Sequence, residues 1–240
     1  HMISLKKIEA LKHITFDPEK GITIGANVDL RTTEHNEYVQ TYYPALYQGM
    51  HSMANTQIRN RGTVVGNICN AVPSADTAPS LLVYEAQIKI QSKAGERIVP
   101  IEEFFTGVCR TVLLPEELVT EIFIPLPDKK AYSIYYKYAI RKALDLAMIG
   151  AAANVTLNDA QEVQNAKIAL GAVAITPKRA HKAEELILGK KLTEELIEEA
   201  AQVASQEDCS PISDIRATAD YRRRMVYVHV RNALRKAVEA

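Results

Sequence analysis

Between Gly21 and Ala26, the residues Ile22, Ile24 and Ala26 alternate with Thr23 and Gly25, and that period of two predicts a short strand. Helical spacing follows over 32–41 and 44–54, the second segment opening on Pro44, whose missing N–H is no loss at a first helical position. Periodicity then stops. Residues 57–76, QIRNRGTVVGNICNAVPSAD, hold two glycines, three asparagines, a proline and an aspartate between regular flanks. A stretch of that length predicts an irregular loop, and Val64, Val65, Ile68 and Val72 argue that it is shaped around something rather than disordered. Ser74 reads as the N-cap of an apolar helix running to about Tyr84, with Asp76 in its first turn. A hairpin follows, with strands 86–92 and 96–99 joined at Ala94-Gly95.

Pro125-Leu126-Pro127-Asp128 marks the expected boundary between a first domain, 3–127, and a second, 128–240. Beyond it, period-two alternation predicts strands at 132–140, 147–157 and 166–175, the first with Tyr132, Ile134, Tyr136 and Tyr138 on one face and Lys137 on the other. Turn residues at Asn158-Asp159 make an antiparallel sheet the expectation. Segments 178–188, 193–205 and 214–238 have helical spacing, with Thr193 as a cap followed by Glu194 and Glu195. The fold class is therefore α+β.

Charge narrows the choice of partners. The chain of 240 residues balances 29 Lys and Arg against 29 Asp and Glu, so nothing draws it as a whole to nucleic acid or an acidic membrane. The arginines of the last helix, Arg222, Arg223, Arg224, Arg231 and Arg235 among them, then read as a solvated face or a subunit contact. Cys69, Cys109 and Cys209 are too few and too far apart for a disulfide framework or a four-cysteine cluster, which places any iron on another chain. No apolar run reaches membrane-spanning length and no signal peptide is evident, so the expected location is the cytoplasm. GxGxxG, P-loop, HExxH and GxSxG signatures are absent from the sequence.

The candidate chemistry lies in the loop. Gly62 and Gly66 would let backbone N–H groups approach an oxyanion, while asparagines such as Asn60, Asn67 and Asn70 tolerate unusual dihedrals and offer their own amides, which together suggest a pyrophosphate cradle. Asp76 would repel a phosphate but would accept from a ribityl or ribose hydroxyl. An ordinary surface loop with self-capping Asn and Ser residues is the competing reading on composition alone.

The same run, from Gln57 through Thr63-Val64-Val65-Gly66-Asn67 to Asp76, resembles the flavin loop of the FAD-binding subunits of molybdenum hydroxylases, the xanthine dehydrogenase and carbon monoxide dehydrogenase group. Residues 113–125 (LLPEELVTEIFIP), the strand around Lys137, Ala169 to Pro177 and Ser213 to Arg223 are similar to later segments of that family, in the family's order. The resemblance implies part of a vanillyl-alcohol-oxidase-type FAD-binding domain, then a three-stranded antiparallel sheet with a helical bundle. It implies that Gly62, Thr63, Val65, Gly66 and Asn67 line the FAD phosphates and that Asp76 accepts from the ribityl region. Leu114 would pack on the isoalloxazine ring, and Lys137 would reach the flavin from the second domain. It also implies a molybdopterin-binding large subunit and a [2Fe–2S] small subunit as partners, with electrons leaving through FAD to NAD+ or another acceptor.

Two departures temper these expectations. Val65 stands where the family usually has the first glycine of Thr-x-Gly-Gly-Asn, adding bulk where backbone should approach phosphate. The family's amino-terminal glycine-rich phosphate loop does not precede Ile3-Ser4-Leu5, so the expectation is that this chain alone holds FAD weakly or not at all. The rival expectation is a flavin-free scaffold subunit, docking through the arginine-rich helix and the small-residue faces at Ala147 to Ala153.

Overall fold

The alternation at Gly21 to Gly25 becomes one strand of a five-stranded sheet in the computed structural model, which describes residues 3–141 and 144–240. In chain order the first half contains β1 (Ile14–Asp17), β2 (Gly21–Gly25), α1 (Leu30–Glu34), α2 (Glu37–Tyr42), α3 (Pro44–His51), α4 (Thr56–Arg59), α5 (Val64–Cys69) and α6 (Ala78–Val83). Then come β3 (Gln87–Ser92), β4 (Gly95–Pro100), α7 (Ile101–Phe104), β5 (Phe105–Gly107), β6 (Arg110–Thr111) and β7 (Leu118–Pro125). The sheet runs β1-β2-β7-β3-β4, antiparallel at every pairing. Ile22 and Ile24 of β2, Ile88 and Ile90 of β3, and Ile122 and Ile124 of β7 enter one core beneath α3, α5 and α6. Gly21 has φ +135° and lies so close to β7 that a Cβ would sit 2.1 Å from the Ile124 carbonyl oxygen, so only glycine opens this strand without strain.

The second half contains β8 (Ala131–Tyr138), β9 (Ile149–Leu157), β10 (Val163–Gly171), β11 (Lys178–Arg179), α8 (His181–Ile187), α9 (Glu194–Gln206) and α10 (Ala219–Glu239). Its sheet, in the order β11-β10-β9-β8, is the expected antiparallel one with a two-residue fourth strand added at its edge. One face packs on α8, α9 and α10, and the other lies against α3 and α6 of the first half. Coverage of both faces explains the alanine run. Ile149, Ala151, Ala153 and Val155 of β9 belong to the helical core while Ala152 joins the first core, so both sides demand apolar residues, and small ones let the layers approach.

Several expectations change in detail. The helix expected over 32–41 is two helices, because Asn36 accepts hydrogen bonds from the N–H groups of Tyr38 and Val39 and starts α2 afresh. The stretch 57–76 is not wholly irregular. It contains the end of α4 and all of α5, each begun by a capping side chain: Asn55 accepts from the Ile58 N–H and Thr63 from the Gly66 N–H. Ser74 caps no helix among the described residues. The helix begins at Ala78, with Pro79 in its first turn and Thr77 at the cap position, which leaves Asp76 outside it. Lys178 and Arg179, expected in a helix, pair as β11 with Ala169 and Leu170, and residues 214–218 precede α10 rather than belong to it.

The arginine-rich helix is also not a uniformly solvated face. Arg222 is 4% exposed, donates to the carbonyls of Met148 and Ala172, and pairs with Asp214 at 2.9 Å. Arg223 donates to the carbonyls of Ser205, Gln206 and Cys209. Both arginines close the ends of neighbouring segments.

Candidate functional site

Period two on β8 sorts its side chains between the two halves of the chain. Tyr132, Ile134, Tyr136 and Tyr138 pack toward the helical core, with the Tyr136 and Tyr138 rings against His229 of α10. Ser133, Tyr135 and Lys137 face the other way, and each meets a polar group of the first half. Ser133 Oγ lies 2.5 Å from the Tyr84 hydroxyl. The Tyr135 N–H donates to Gln48 Oε1 at 2.7 Å, and its hydroxyl donates to Asp76 Oδ1 at 3.0 Å. Lys137 Nζ donates to Asp76 Oδ2 at 2.8 Å and to the Ser52 carbonyl at 3.2 Å.

Asp76 and Lys137 are thus an ion pair whose side chains are 8% and 9% exposed. Burial pushes the Asp76 carboxyl above the ordinary range, opposed by the adjacent ammonium and by the Tyr135 hydroxyl. The Tyr135 hydroxyl, fully enclosed and next to that carboxylate, is held well above the usual phenol range and so remains a neutral donor. α3 reaches this cluster so closely that a Cβ on Gly49 would lie 2.8 Å from the Asp76 carbonyl oxygen. A groove of about 500 Å³, lined by Ser52, Lys137, Tyr138 and Arg141, opens beside the ammonium.

The loop stands next to this pair. Thr77, the residue after Asp76, donates its hydroxyl to Asn67 Oδ1 at 2.6 Å, which orients the Asn67 amide and leaves its NH₂ without a partner among the described residues. Thr63 Oγ1 accepts from the Gly66 N–H at 2.8 Å, and its own proton has no acceptor among the described residues. Gly66 is exposed, and a Cβ there would meet only Thr63 Oγ1 within 4 Å outside its own helix and neighbours. The loop is anchored from behind by an antiparallel bridge between Asp29 and Thr63, a Leu30 N–H···O=C Gly62 bond of 2.8 Å, and a buried Glu34–Arg59 pair at 3.0 Å.

Residues 1–127 match the family described as the FAD binding domain in molybdopterin dehydrogenase, and residues 134–237 match the CO dehydrogenase flavoprotein C-terminal domain. The chain belongs to this family. It is 32% identical to the xanthine dehydrogenase FAD-binding subunit of Escherichia coli O157:H7 over its whole length and 82% of that protein. It is 33% identical to the carbon monoxide dehydrogenase medium chain of Hydrogenophaga pseudoflava, over 99% of this chain and 81% of that one. The solved carbon monoxide dehydrogenase from the same organism superposes with a TM-score of 0.91 at 32% identity, covering 96% of this chain and 79% of the other. A quinoline 2-oxidoreductase from Pseudomonas putida 86 gives a TM-score of 0.90 at 28% identity, covering 98% and 80% of the two chains. The Escherichia coli relative is an FAD-binding subunit of a dehydrogenase, and the α+β architecture expected from the resemblance is the one observed.

Of the expected site residues, Thr63, Gly66, Asn67, Asp76 and Lys137 are brought into one region, Lys137 by strand orientation, Thr63, Gly66 and Asn67 by α5 and its cap, and Asp76 by the turn before α6. Val65 is 6% exposed: α5 turns its side chain into the core, so the bulk expected in the path of a phosphate is not there. Gly62 is explained by packing, since a Cβ would meet Leu30 Cδ1 at 3.2 Å and the Ile58 carbonyl oxygen at 3.3 Å. Asp76, expected on a helical first turn and open to a hydroxyl, already has both oxygens bonded, because the second domain's strand supplies a phenol and an ammonium. A carboxylate still retains lone pairs beyond those two bonds. Tyr135 and Gln48 were not among the expected residues. Tyr135 could have been found, because it shares the odd-numbered face of β8 with Lys137.

Leu114 stands apart from this cluster, 54% exposed, on a turn after β6. Glu117 fastens that turn: Arg97 reaches its two oxygens at 2.8 Å each, and the Leu114 N–H donates at 2.9 Å. The Arg97 fork, then the Leu114 N–H, holds the Glu117 carboxyl down at about 2, below its ordinary 4.5. Stability from a depressed carboxyl is complete above the ordinary value and disappears as pH falls through the depressed one. The Leu114 amide shift in an NMR titration should therefore hold steady down through pH 4.5 and move with a midpoint near 2. A midpoint at 4.5 would show that the fork does not form in solution.

FAD can be tested against these residues on their own chemistry. A hydroxyl proton on Thr63, an amide NH₂ on Asn67 and open space over the Gly66 backbone form a set of donors suited to phosphate oxygens. The Asp76–Lys137 pair combines an acceptor for sugar hydroxyls with a cation. The residues present fit the group.

Proposed function

We propose that the chain is the electron-transfer flavoprotein subunit of a molybdenum hydroxylase, holding FAD between the Thr63–Asn67 loop and Lys137. The observation that carries this reading is the buried Asp76–Lys137 pair, which joins the two halves of the chain directly beside Asn67. When bound, the flavin would supply the redox chemistry, receiving electrons from [2Fe–2S] clusters on a small subunit fed by a molybdopterin large subunit and passing them to NAD+ or another acceptor. The chain's own residues bind and orient. Thr63, Gly66 and Asn67 would hold the phosphates, Asp76 would accept from the ribityl hydroxyls, Lys137 would place a positive charge near the ring, and Leu114 would cover one face of it.

The flavin-free scaffold loses its small-residue face, though α10 keeps Arg224 exposed. Ala147, Ala151, Ala152 and Ala153 are between 1% and 2% exposed and already packed within the chain, and Arg222 is turned inward. The test is to assemble the chain with its molybdenum and iron–sulfur partners, desalt, and measure flavin content and NAD+ reduction after substrate is added. About one flavin per chain with NADH formation supports the proposal, flavin with no NADH points to a different acceptor, and clusters without flavin would select the scaffold.

A further inference from the structure

Every hydrogen bond that defines the Asp76–Lys137 pair starts from β8, and one of them comes from a residue with no assigned part in cofactor binding. We propose that Tyr135 is the positioning residue of this site, holding Asp76 ionised and turned toward Lys137 so that the pair remains available to a cofactor's hydroxyls. This deepens the flavin reading above and rests on it.

The geometry is specific. Tyr135 is fixed at its backbone by Gln48 Oε1, 2.7 Å away, and its ring is 5% exposed. Its hydroxyl donates to Asp76 Oδ1 at 3.0 Å, which leaves Oδ2 to Lys137 at 2.8 Å. Space for the phenol is made by the neighbouring strand: a Cβ on Gly150 would lie 2.8 Å from the Tyr135 hydroxyl oxygen and 3.1 Å from the ring. Glycine at 150 is thus part of the same device. A hydrogen bond from a neutral donor to a buried carboxylate favours the charged form, and two donors on separate oxygens fix the plane of the carboxylate. Without the phenol, Asp76 would retain Lys137 alone and could rotate about it.

The test uses Tyr135→Phe, which removes one oxygen, with Gly150→Ala as a second variant that displaces the ring while keeping the hydroxyl. Three readouts are taken on the full chain: thermal unfolding, the Asp76 carboxyl titration by carbon NMR, and FAD affinity by flavin fluorescence at two pH values. The titration of Asp76 should move upward in both variants. FAD should bind about tenfold more weakly in the phenylalanine variant, the equivalent of one charge-assisted hydrogen bond, and the loss should grow as pH is lowered. In an Asp76→Asn background the same Tyr135→Phe change should cause no further loss of FAD, whereas a purely structural role would weaken binding in both backgrounds. An unmoved Asp76 titration, or equal losses in the two backgrounds, would overturn the proposal. If the chain assembled with its molybdenum and iron–sulfur partners also holds no FAD while the Asp76 titration moves as expected, the positioning role stands and the flavin reading fails.

Discussion

Lys137→Met is expected to lower the stability of the chain by about 3 kcal/mol at neutral pH, because the exchange leaves a buried carboxylate without its cation. Asp76 retains 8% of its side-chain surface, so water replaces the ammonium only in small part. Its carboxyl already lies above the ordinary range through burial, and loss of Lys137 removes the main opposing influence. The pH dependence has a definite sign. A carboxyl raised in the folded state binds more protons folded than unfolded between the two values, so the penalty develops as pH rises through that window and vanishes below the ordinary value of 3.8. The variant should therefore regain stability on acidification toward pH 4, as read by urea unfolding across pH. Adding Asp76→Asn should restore most of the loss at neutral pH. A variant as stable as the parent at pH 7 would show that the pair contributes nothing and that the two halves are joined by packing alone.

The second large effect lies far from the loop. Arg179 and Glu184 form a pair whose side chains are 5% and 8% exposed, with the guanidinium reaching both carboxylate oxygens at 2.6 Å. Glu184 Oε1 also accepts the Ile168 N–H at 2.6 Å, so the pair ties α8 to two strands of the second sheet. Arg179→Ala strands the carboxylate and should cost about 3 to 5 kcal/mol, a fall in melting temperature of about 10 °C for a chain of this size. Arg179→Met with Glu184→Leu should recover much of that, since matched apolar groups replace a buried pair at little or no loss. A melting temperature unchanged in Arg179→Ala would mean that solvent, or His181 Nδ1 at 3.3 Å from Glu184 Oε2, already satisfies the carboxylate.

These two pairs also show where a sequence stops being readable. Strand parity put Lys137 opposite Tyr136 and Tyr138 with no knowledge of its partner, because a period of two is a local property of the backbone. The same parity places Tyr135 beside Lys137, yet a tyrosine in a strand reads first as packing. Asp76 was misplaced for a local reason: Ser74 has the chemistry of an N-cap, but Pro79 sets the helix start later, and a lysine 61 residues away claims the carboxylate. β7 hides its alternation behind the register shift opposite Lys89 and Ile90, and β11 exists only because β10 offers an edge. The acceptors of Arg222 are backbone carbonyls 74 and 50 residues away, which no charge pattern encodes. The loop's structure was the illegible part: Thr63 starts α5, while Asn60 and Asn70 close α4 and α5, a use of these residues that composition does not distinguish from an irregular loop.

The wall formed by Thr63, Asn67, Asp76 and Lys137 is expected to receive FAD. The most direct check is an isotope-edited NMR titration of the chain with FAD, following the Asn67 side-chain amide, the Lys137 ammonium and the Val28 amide as a buried control. Saturable shifts at Asn67 and Lys137, with Val28 unmoved, are the predicted result. Saturable flavin binding that leaves both Asn67 and Lys137 where they were would contradict the account.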